Sequence, residues 1–263
     1  MKKIKLNWFK RLKAAYLVKK HGLPDDEWSQ ATKNLPLLQQ LNNSEKARLR
    51  VLSTLLIHDK AFTGVQGLKL TLGMKILIAA QACLVILNFD LDAFDGWHEV
   101  IVYPSAFKVE RETRDELGLV HDNTNALSGE AWMRGPLILS WDDVVRDSYT
   151  PQPGHNVILH EFAHKLDMLN GRANGMPPLH PTMPIENWTD SLSKAYDELS
   201  MHVAFDVHPI NAYATTNPAE FFAVMCEYFF TAPEVIDAHY PEVYDQLKTY
   251  FELDTLSRRI NVT

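Results

Sequence analysis

Apolar residues recur at helical spacing along most of this chain, and only two short runs have the composition of strands. The strand predictions cover residues 100–103 and 137–141, both rich in branched or aromatic side chains. A cap at Ser44 is predicted to begin the third helix. Helices are predicted over residues 1–20, 24–30, 44–58, 72–87 and 156–171, from 218 onward, and over 240–257.

The order of these elements predicts an α+β fold that is mostly helical, with a small mixed β-sheet beside the helix at 156–171. Residues 1–95 are predicted to form an N-terminal helical region packed on the remainder. Residues 96–263 are predicted to form the domain that carries the chemistry, because the strands and the polar motifs described next all fall there.

The strongest chemical signal is an HExxH sequence at residues 160–164. A spacing of four places His160 and His164 on one face of a helix, where two imidazoles can bind one metal ion. Ile158 and Phe162 belong to the opposite, apolar row of the same helix. Glu161 can reach a water near the metal, where a general base is needed. The motif predicts a metallopeptidase centre.

Catalytic zinc usually takes three protein ligands and leaves a fourth position open. A metzincin continuation is excluded, because Asp167 and Asn170 stand where that pattern has glycine and histidine. Glu220, in the first turn of a downstream helix, is the candidate third ligand; taken alone it is better explained as a capping residue, and Tyr213 is what favours the ligand role. An alternative role for Glu220 is a capping box with Asn217. The residues that remain open as other third ligands are His180, His202 and His208.

Tyr213, seven residues before Glu220, could donate a hydrogen bond to the oxyanion formed during peptide hydrolysis. With this tyrosine, the chain resembles the Mlc titration factor A family of bacterial zinc peptidases and is more distantly similar to the catalytic domain of anthrax lethal factor. Both families indicate a zincin-like, gluzincin-type fold. The residues that carry the resemblance are 160–167, Tyr213, 220–223 and the upstream blocks 127–132 and 135–144.

The resemblance implies one zinc ion held by His160, His164 and Glu220, with Glu161 as general base and Tyr213 as transition-state donor. Two further carboxylates could orient a ligand histidine. Asp167 lies one turn beyond His164, and Glu227 lies two turns beyond Glu220. Either could equally be a solvated or capping charge.

The predicted substrate is a peptide. Glu130, beside Gly129, could hold its free amino terminus, which would make the enzyme an aminopeptidase; alternatively Glu130 is an exposed strand carboxylate. The strand at 137–141 could pair with an extended peptide. The resemblance also implies a regulatory role, the binding of a transcriptional repressor of sugar uptake. The competing function is therefore a non-catalytic, zinc-containing protein that sequesters this repressor.

Composition adds limits to this picture. The chain has 263 residues, 46% of them hydrophobic, and a net charge of −7, which gives no support to nucleic-acid binding over the whole molecule. No signal peptide is recognised, and the apolar run 76–87 is too short to span a bilayer. Cys83 and Cys226 fit free buried thiols in the cytoplasm. The basic helix 1–20 could contact an anionic membrane or a partner, although packing on its own domain is commoner.

Overall fold

A computed structural model describes residues 8–89, 91–105, 135–205 and 208–259. Helices dominate, and three short strands form one sheet. The first half of the chain contains α1 (Trp8–His21), α2 (Asp25–Thr32), α3 (Pro36–Gln39), α4 (Asn43–Asp59), β1 (Ala61–Gly64), α5 (Leu72–Ala82), a 3-10 turn (Leu91–Phe94) and β2 (Glu99–Tyr103). The second half contains β3 (Leu137–Ser140), α6 (Trp141–Tyr149), α7 (Val157–Asp167), α8 (Ile185–Ala204), α9 (Pro218–Thr231), α10 (Pro233–His239), α11 (Pro241–Phe251) and α12 (Thr255–Arg259), with 3-10 turns at Met168–Asn170 and Ala212–Thr215.

Local capping chemistry decides where the helices begin. The side chain of Asn42 accepts a hydrogen bond from the Glu45 amide at 3.0 Å, and the Glu45 carboxylate accepts one from the Asn42 amide at 3.0 Å. This capping box starts α4 one residue before Ser44, so the predicted cap at Ser44 was wrong. Asn42 and Ser44 are both polar candidates for the cap, and of the two only Asn42 is followed by Glu at the third position.

The apolar run that predicted a helix over 72–87 is helical only in its first part. Thr71 caps α5 by accepting a hydrogen bond from the Met74 amide, and the helix ends at Ala82. Residues 83–87 continue as buried turns. None of the helices in the described ranges is long and apolar enough to cross a membrane.

The sheet has the order β1-β2-β3, and all three of these strands run parallel. We expected a mixed sheet, so the described strands correct that detail, while the mostly helical α+β fold with a small sheet is confirmed. Residue 141 was predicted to end the strand at 137–141. It instead opens α6, because the Ser140 hydroxyl accepts a hydrogen bond from the Asp143 amide at 3.3 Å.

The core joins these elements around α7 and α9, the two helices that carry the predicted site. Phe162 of α7 packs edge-on against Phe94 and Trp97, with ring centroids 4.9 and 5.7 Å away. One cluster of buried side chains extends from Leu35 to Leu253. The boundary between residues 95 and 96 stays a prediction.

The last sixty residues depart most from the sequence prediction. The helix predicted over 240–257 is replaced by α11 and α12, because Pro241 begins a new helix and Glu252 takes a left-handed conformation with φ 48°. Helices α6 and α8 were not predicted. Helix α8 places Trp188 and Leu199 in the core, so it covers one side of α9.

Candidate metal centre

Helix α7 presents two histidines away from the core. Its N-cap is Asn156, whose side chain accepts a hydrogen bond from the Leu159 amide at 3.0 Å. Ile158 and Phe162 are buried, as predicted, and His160 and His164 each keep 14% of their side-chain surface exposed. The helix therefore anchors both imidazoles firmly and leaves one nitrogen of each accessible.

Helix α9 supplies the third polar group. Asn217 caps the helix by accepting hydrogen bonds from the amides of Ala219 and Glu220 at 2.9 and 3.1 Å, and Pro218 occupies the first helical position. The Glu220 carboxylate does not return to the cap but lies against the two histidines. The capping-box alternative for Glu220 is therefore not what the structure shows.

The three groups converge on one point. Glu220 Oε2 lies 3.1 Å from His160 Nε2 and 3.3 Å from His164 Nε2, and the two Nε2 atoms lie 3.2 Å apart. One proton cannot satisfy three such contacts, whereas a cation accepts all three lone pairs. Ligand atoms around a tetrahedral zinc, with bonds of about 2.0–2.2 Å, stand roughly 3.3–3.5 Å apart. The spacing and the donor atoms thus fit zinc.

The electrostatics of the cluster favour a cation. Burial alone would raise the pKa of Glu220, but hydrogen bonds from His160 and His164 hold it well below the usual range. Burial alone would lower the pKa of His160, but Glu220 and Glu227 raise it to about 10. The carboxylates therefore make this position attractive to a positive charge, whether a proton or a metal ion.

Glu227 holds the outer nitrogen of His160. His160 Nδ1 lies 2.8 Å from Glu227 Oε1, while the other carboxylate oxygen accepts a hydrogen bond from the Asn156 amide at 2.5 Å. The side chain is buried, with 6% of the residue exposed. One carboxylate thus fixes both the N-terminus of α7 and the ring orientation that points Nε2 at Glu220.

Asp167 bonds to backbone amides and not to a histidine, which agrees with the second of the two roles left open for it. Its Oδ2 accepts hydrogen bonds from the amides of Asn174 and Gly175 at 2.8 and 2.7 Å, so it fixes the loop after α7. Its Oδ1 and His164 Nδ1 are both buried without a hydrogen-bond partner. Burial raises the pKa of this carboxyl despite the two amide donors. Asp167 therefore lies near His164 without bonding to it.

Glu161 and Tyr213 flank the cluster. Burial raises the pKa of Glu161. The charges of His160 and His164 partly oppose this rise. The Tyr213 ring centroid lies 6.0 Å from that of His160, and 51% of the residue is exposed. Burial and the nearby Glu220 raise the pKa of the Tyr213 hydroxyl. A carboxylate and a phenol hydroxyl thus both lie near the three converging atoms.

The loop that carries Tyr213 is held by α9. The Asn211 side chain accepts a hydrogen bond from the Tyr213 amide at 3.0 Å, and the Asn211 amide donates to the Tyr228 hydroxyl at 3.3 Å. The Tyr228 ring lies over Gly154, in the loop before α7. Tyr228 therefore connects the loops before the HExxH helix and before Glu220, a role that no sequence pattern indicated.

The other histidines have separate roles. His180 Nε2 donates to the Tyr250 carbonyl at 2.7 Å, and His208 Nδ1 donates to the Ile210 carbonyl at 2.7 Å. His202 is exposed on α8. Across the described residues, His160, His164 and Glu220 form the one group of potential metal ligands whose donor atoms all lie within 4.8 Å of one another.

A buried lysine beside the motif was also missed from the sequence. Lys165 Nζ donates to the Gly135 carbonyl at 3.0 Å and lies 5.5 Å from the centre of the Trp97 ring, which Lys60 approaches to 4.6 Å. Burial lowers the pKa of Lys165. This contact ties α7 to the start of β3. Glu130, the predicted amino-terminus ligand, lies outside the described residues.

A helix with HExxH and a glutamate from a second helix define a site of the metallopeptidase class. The sequence profile of the glucose-regulated metallo-peptidase M90 family matches residues 7–252, so the chain belongs to that family. It is 40% identical over 237 residues to Mlc titration factor A of Yersinia pestis (strain Pestoides F), covering 88% of this chain and 86% of that protein. Mlc titration factor A of Yersinia pseudotuberculosis serotype O:1b (strain IP 31758) matches to the same extent. The predicted resemblance is confirmed.

Proposed function

We propose that this protein is a zinc-dependent peptidase of aminopeptidase type. The observation that carries the proposal is the convergence of His160, His164 and Glu220, with ligand atoms within 4.8 Å of one another, beside a partly buried Glu161. Membership of a metallopeptidase family supports the same activity. Two histidines and one carboxylate form a ligand set that catalytic zinc sites use, with the fourth position open for substrate or water.

In this mechanism the chain's own residues move the protons. Zinc at this site would supply the Lewis acid that makes water nucleophilic near neutral pH. Glu161 takes the proton of the attacking water as its oxygen bonds to the carbonyl carbon, and passes that proton to the nitrogen as the C–N bond breaks. Tyr213 donates a hydrogen bond to the carbonyl oxygen as negative charge develops there. Its raised pKa keeps that hydroxyl protonated near neutral pH.

The activity is tested by Glu161→Gln against short chromogenic aminoacyl and peptide substrates. Glutamine keeps the size of the side chain but cannot accept the proton, so turnover should fall by at least about 100-fold. Glu186→Gln, at an exposed position on α8, is the matched control and should keep full turnover. Wild-type rates in Glu161→Gln would contradict the proposed role of this residue.

The aminopeptidase specificity is a separate part of the proposal and depends on Glu130. The carboxylate of Glu130 would bind the protonated amino terminus of the substrate. Glu130→Ala should therefore lower the cleavage of free-amino substrates more than that of blocked ones. An unchanged ratio would remove the aminopeptidase assignment and leave the peptidase proposal intact.

We also propose a regulatory partner, a transcriptional repressor resembling Mlc, because the relatives are named Mlc titration factor A. The second candidate function is sequestration of this repressor without catalysis. Glu161→Gln should retain repressor binding in both cases but lose peptidase activity only if the chain is an enzyme. We place this action in the cytoplasm, where the two buried free thiols, Cys83 and Cys226, would stay reduced.

A further inference from the structure

Helix α1 has one face on the protein and another face exposed. Leu17 and Val18 are partly buried where α1 packs on α4, and the His21 ring stacks on that of His58 with centroids 4.9 Å apart. The opposite face is apolar at its centre. Leu12 is 49% exposed and Tyr16 is 59% exposed. The helix is thus anchored to the domain without using its whole apolar surface.

Positive charge borders this exposed apolar face. Lys19 and Lys20 are exposed and lie three and four residues after Tyr16, so they share its side of the helix. Lys20 Nζ lies 5.6 Å from the centre of the Tyr16 ring. Aromatic and apolar side chains with a lysine border are the composition of helices that lie in a membrane interface.

The charge of the whole chain is strongly segregated. The first 21 residues contain eight Lys or Arg and no Asp or Glu, although the complete chain has a net charge of −7. The remainder is therefore strongly acidic and would be repelled by an anionic surface. Attraction is confined to the N-terminal segment, and this favours one orientation of the molecule on such a surface.

We propose that the exposed face of α1, defined by Leu12, Tyr16, Lys19 and Lys20, docks the protein on the surface of an anionic lipid bilayer. The lysines supply the attraction to lipid head groups, and Leu12 and Tyr16 enter the interface. A symmetric dimer through this face fits less well, because two equally basic faces would repel each other. Docking would hold the metal centre close to a membrane without a spanning helix.

The test is co-sedimentation of the full-length protein with vesicles of phosphatidylglycerol and phosphatidylcholine, compared with vesicles of phosphatidylcholine alone. Wild type should bind the anionic vesicles, and added salt should weaken this binding. Lys19→Gln with Lys20→Gln should lower the apparent affinity by about tenfold or more. Lys46→Gln with Lys69→Gln removes the same charge from exposed positions outside α1 and should bind as wild type.

A second variant separates insertion from simple charge attraction. Leu12→Ser with Tyr16→Ser leaves the charge unchanged and should also weaken vesicle binding, because less apolar surface enters the interface. Peptide hydrolysis in solution should be unchanged in every variant, since α1 contributes no residue to the metal centre. Wild type remaining in the supernatant would overturn the proposal. The proposal would also be overturned if the two double-lysine variants lost vesicle binding equally. A change of oligomeric state without vesicle binding would overturn it as well.

Discussion

Glu227 is the residue on which the orientation of His160 depends. Its two oxygens accept from two donors, His160 Nδ1 and the Asn156 amide. Glu227→Gln keeps the shape but presents an NH₂ group to one of these donors, leaving it unpaired. We expect zinc affinity to fall about 10- to 100-fold, measured by competition with a chromogenic chelator. Glu186→Gln is the control, and equal zinc affinity in the two variants would contradict this role.

A substitution at Tyr213 should affect catalysis with little effect on the fold, because half of the residue's surface is exposed. Tyr213→Phe removes only the hydroxyl, so zinc content should be retained while kcat falls by about 10²- to 10³-fold. Steady-state kinetics with elemental analysis would measure both quantities. Tyr149→Phe, at a similarly exposed position, should have wild-type kcat. A loss confined to KM would argue for substrate binding instead of stabilisation of the developing charge.

At the residue scale, the site residues that were predicted most directly from the sequence are those that lie on a single helix. His160 and His164 are four residues apart, so helical geometry alone places them together. Glu220 reaches His164 across 56 residues and Glu227 reaches His160 across 67, so the sequence could name them as candidates but only tertiary packing places them beside the histidines. Asp167, one turn beyond His164, was one of two carboxylates that could have oriented a ligand histidine. The loop at 174–175 takes up its carboxylate instead.

At the scale of elements, Gly154 sets how closely the loop before α7 approaches α9. It has φ 68°, and a Cβ atom there would lie 2.0 Å from the Tyr228 ring. Gly154→Ala should therefore destabilise the fold by more than the ~1–2 kcal/mol of left-handed strain alone. Gly67→Ala supplies the control, because its φ is 84° and nothing lies within 4 Å of the added atom. If urea denaturation shows equal losses of unfolding free energy in the two variants, the close approach of Tyr228 to Gly154 is unimportant for stability.

The junction between α4 and α12 predicts a pH dependence of stability. Arg258 donates to both oxygens of Glu45 at 2.8 and 2.6 Å. Burial alone would raise the pKa of Glu45, but the bonds from Arg258 and the Asn42 amide lower it from 4.5. A carboxyl group whose pKa is lower in the folded state than in the unfolded state stabilises the fold at pH values above its unfolded-state pKa. This stabilisation is lost as the pH falls through the folded-state pKa.

Thermal unfolding of wild type and Glu45→Gln between neutral and acidic pH measures this contribution. The difference in Tm should be largest at neutral pH and should shrink as pH falls below about 4.5. Glu242→Gln disrupts an exposed pair with Lys194, 3.6 Å apart, and should show little difference at any pH. A Glu45→Gln difference that stays constant with pH would exclude an ionic contribution.

Elements with strong caps and one apolar row were predicted well, and those hidden in continuous apolar runs were not. Residues 137–141 were predicted as one strand, yet Ser140 caps α6 and the chain turns from strand to helix without a loop. The run 72–87 was predicted as one helix because residues 76–87 are almost all apolar, and these residues are buried in the helix and in the turns alike. Hydrophobicity alone does not say where the hydrogen-bond pattern changes.

At the scale of the whole molecule, the fold brings two distant helices together at one polar point while nearly all of their other side chains join the core. The parallel sheet and α8 support this arrangement, and neither could be derived from the HExxH motif. Charge is distributed unevenly as well, with a basic α1 on an acidic body. The polar centre within the core is the basis of the proposed peptidase activity, and the basic helix outside the core is the basis of the proposed membrane docking.

The central claim is that His160, His164 and Glu220 together hold one zinc ion. Its most direct test is the zinc content per chain by elemental analysis, after dialysis, of wild type, Glu161→Gln and Glu220→Ala purified side by side. We expect one zinc ion per chain in wild type and Glu161→Gln and a large loss in Glu220→Ala, because two histidines alone bind zinc more weakly. Full zinc in Glu220→Ala, or none in wild type, would contradict the account.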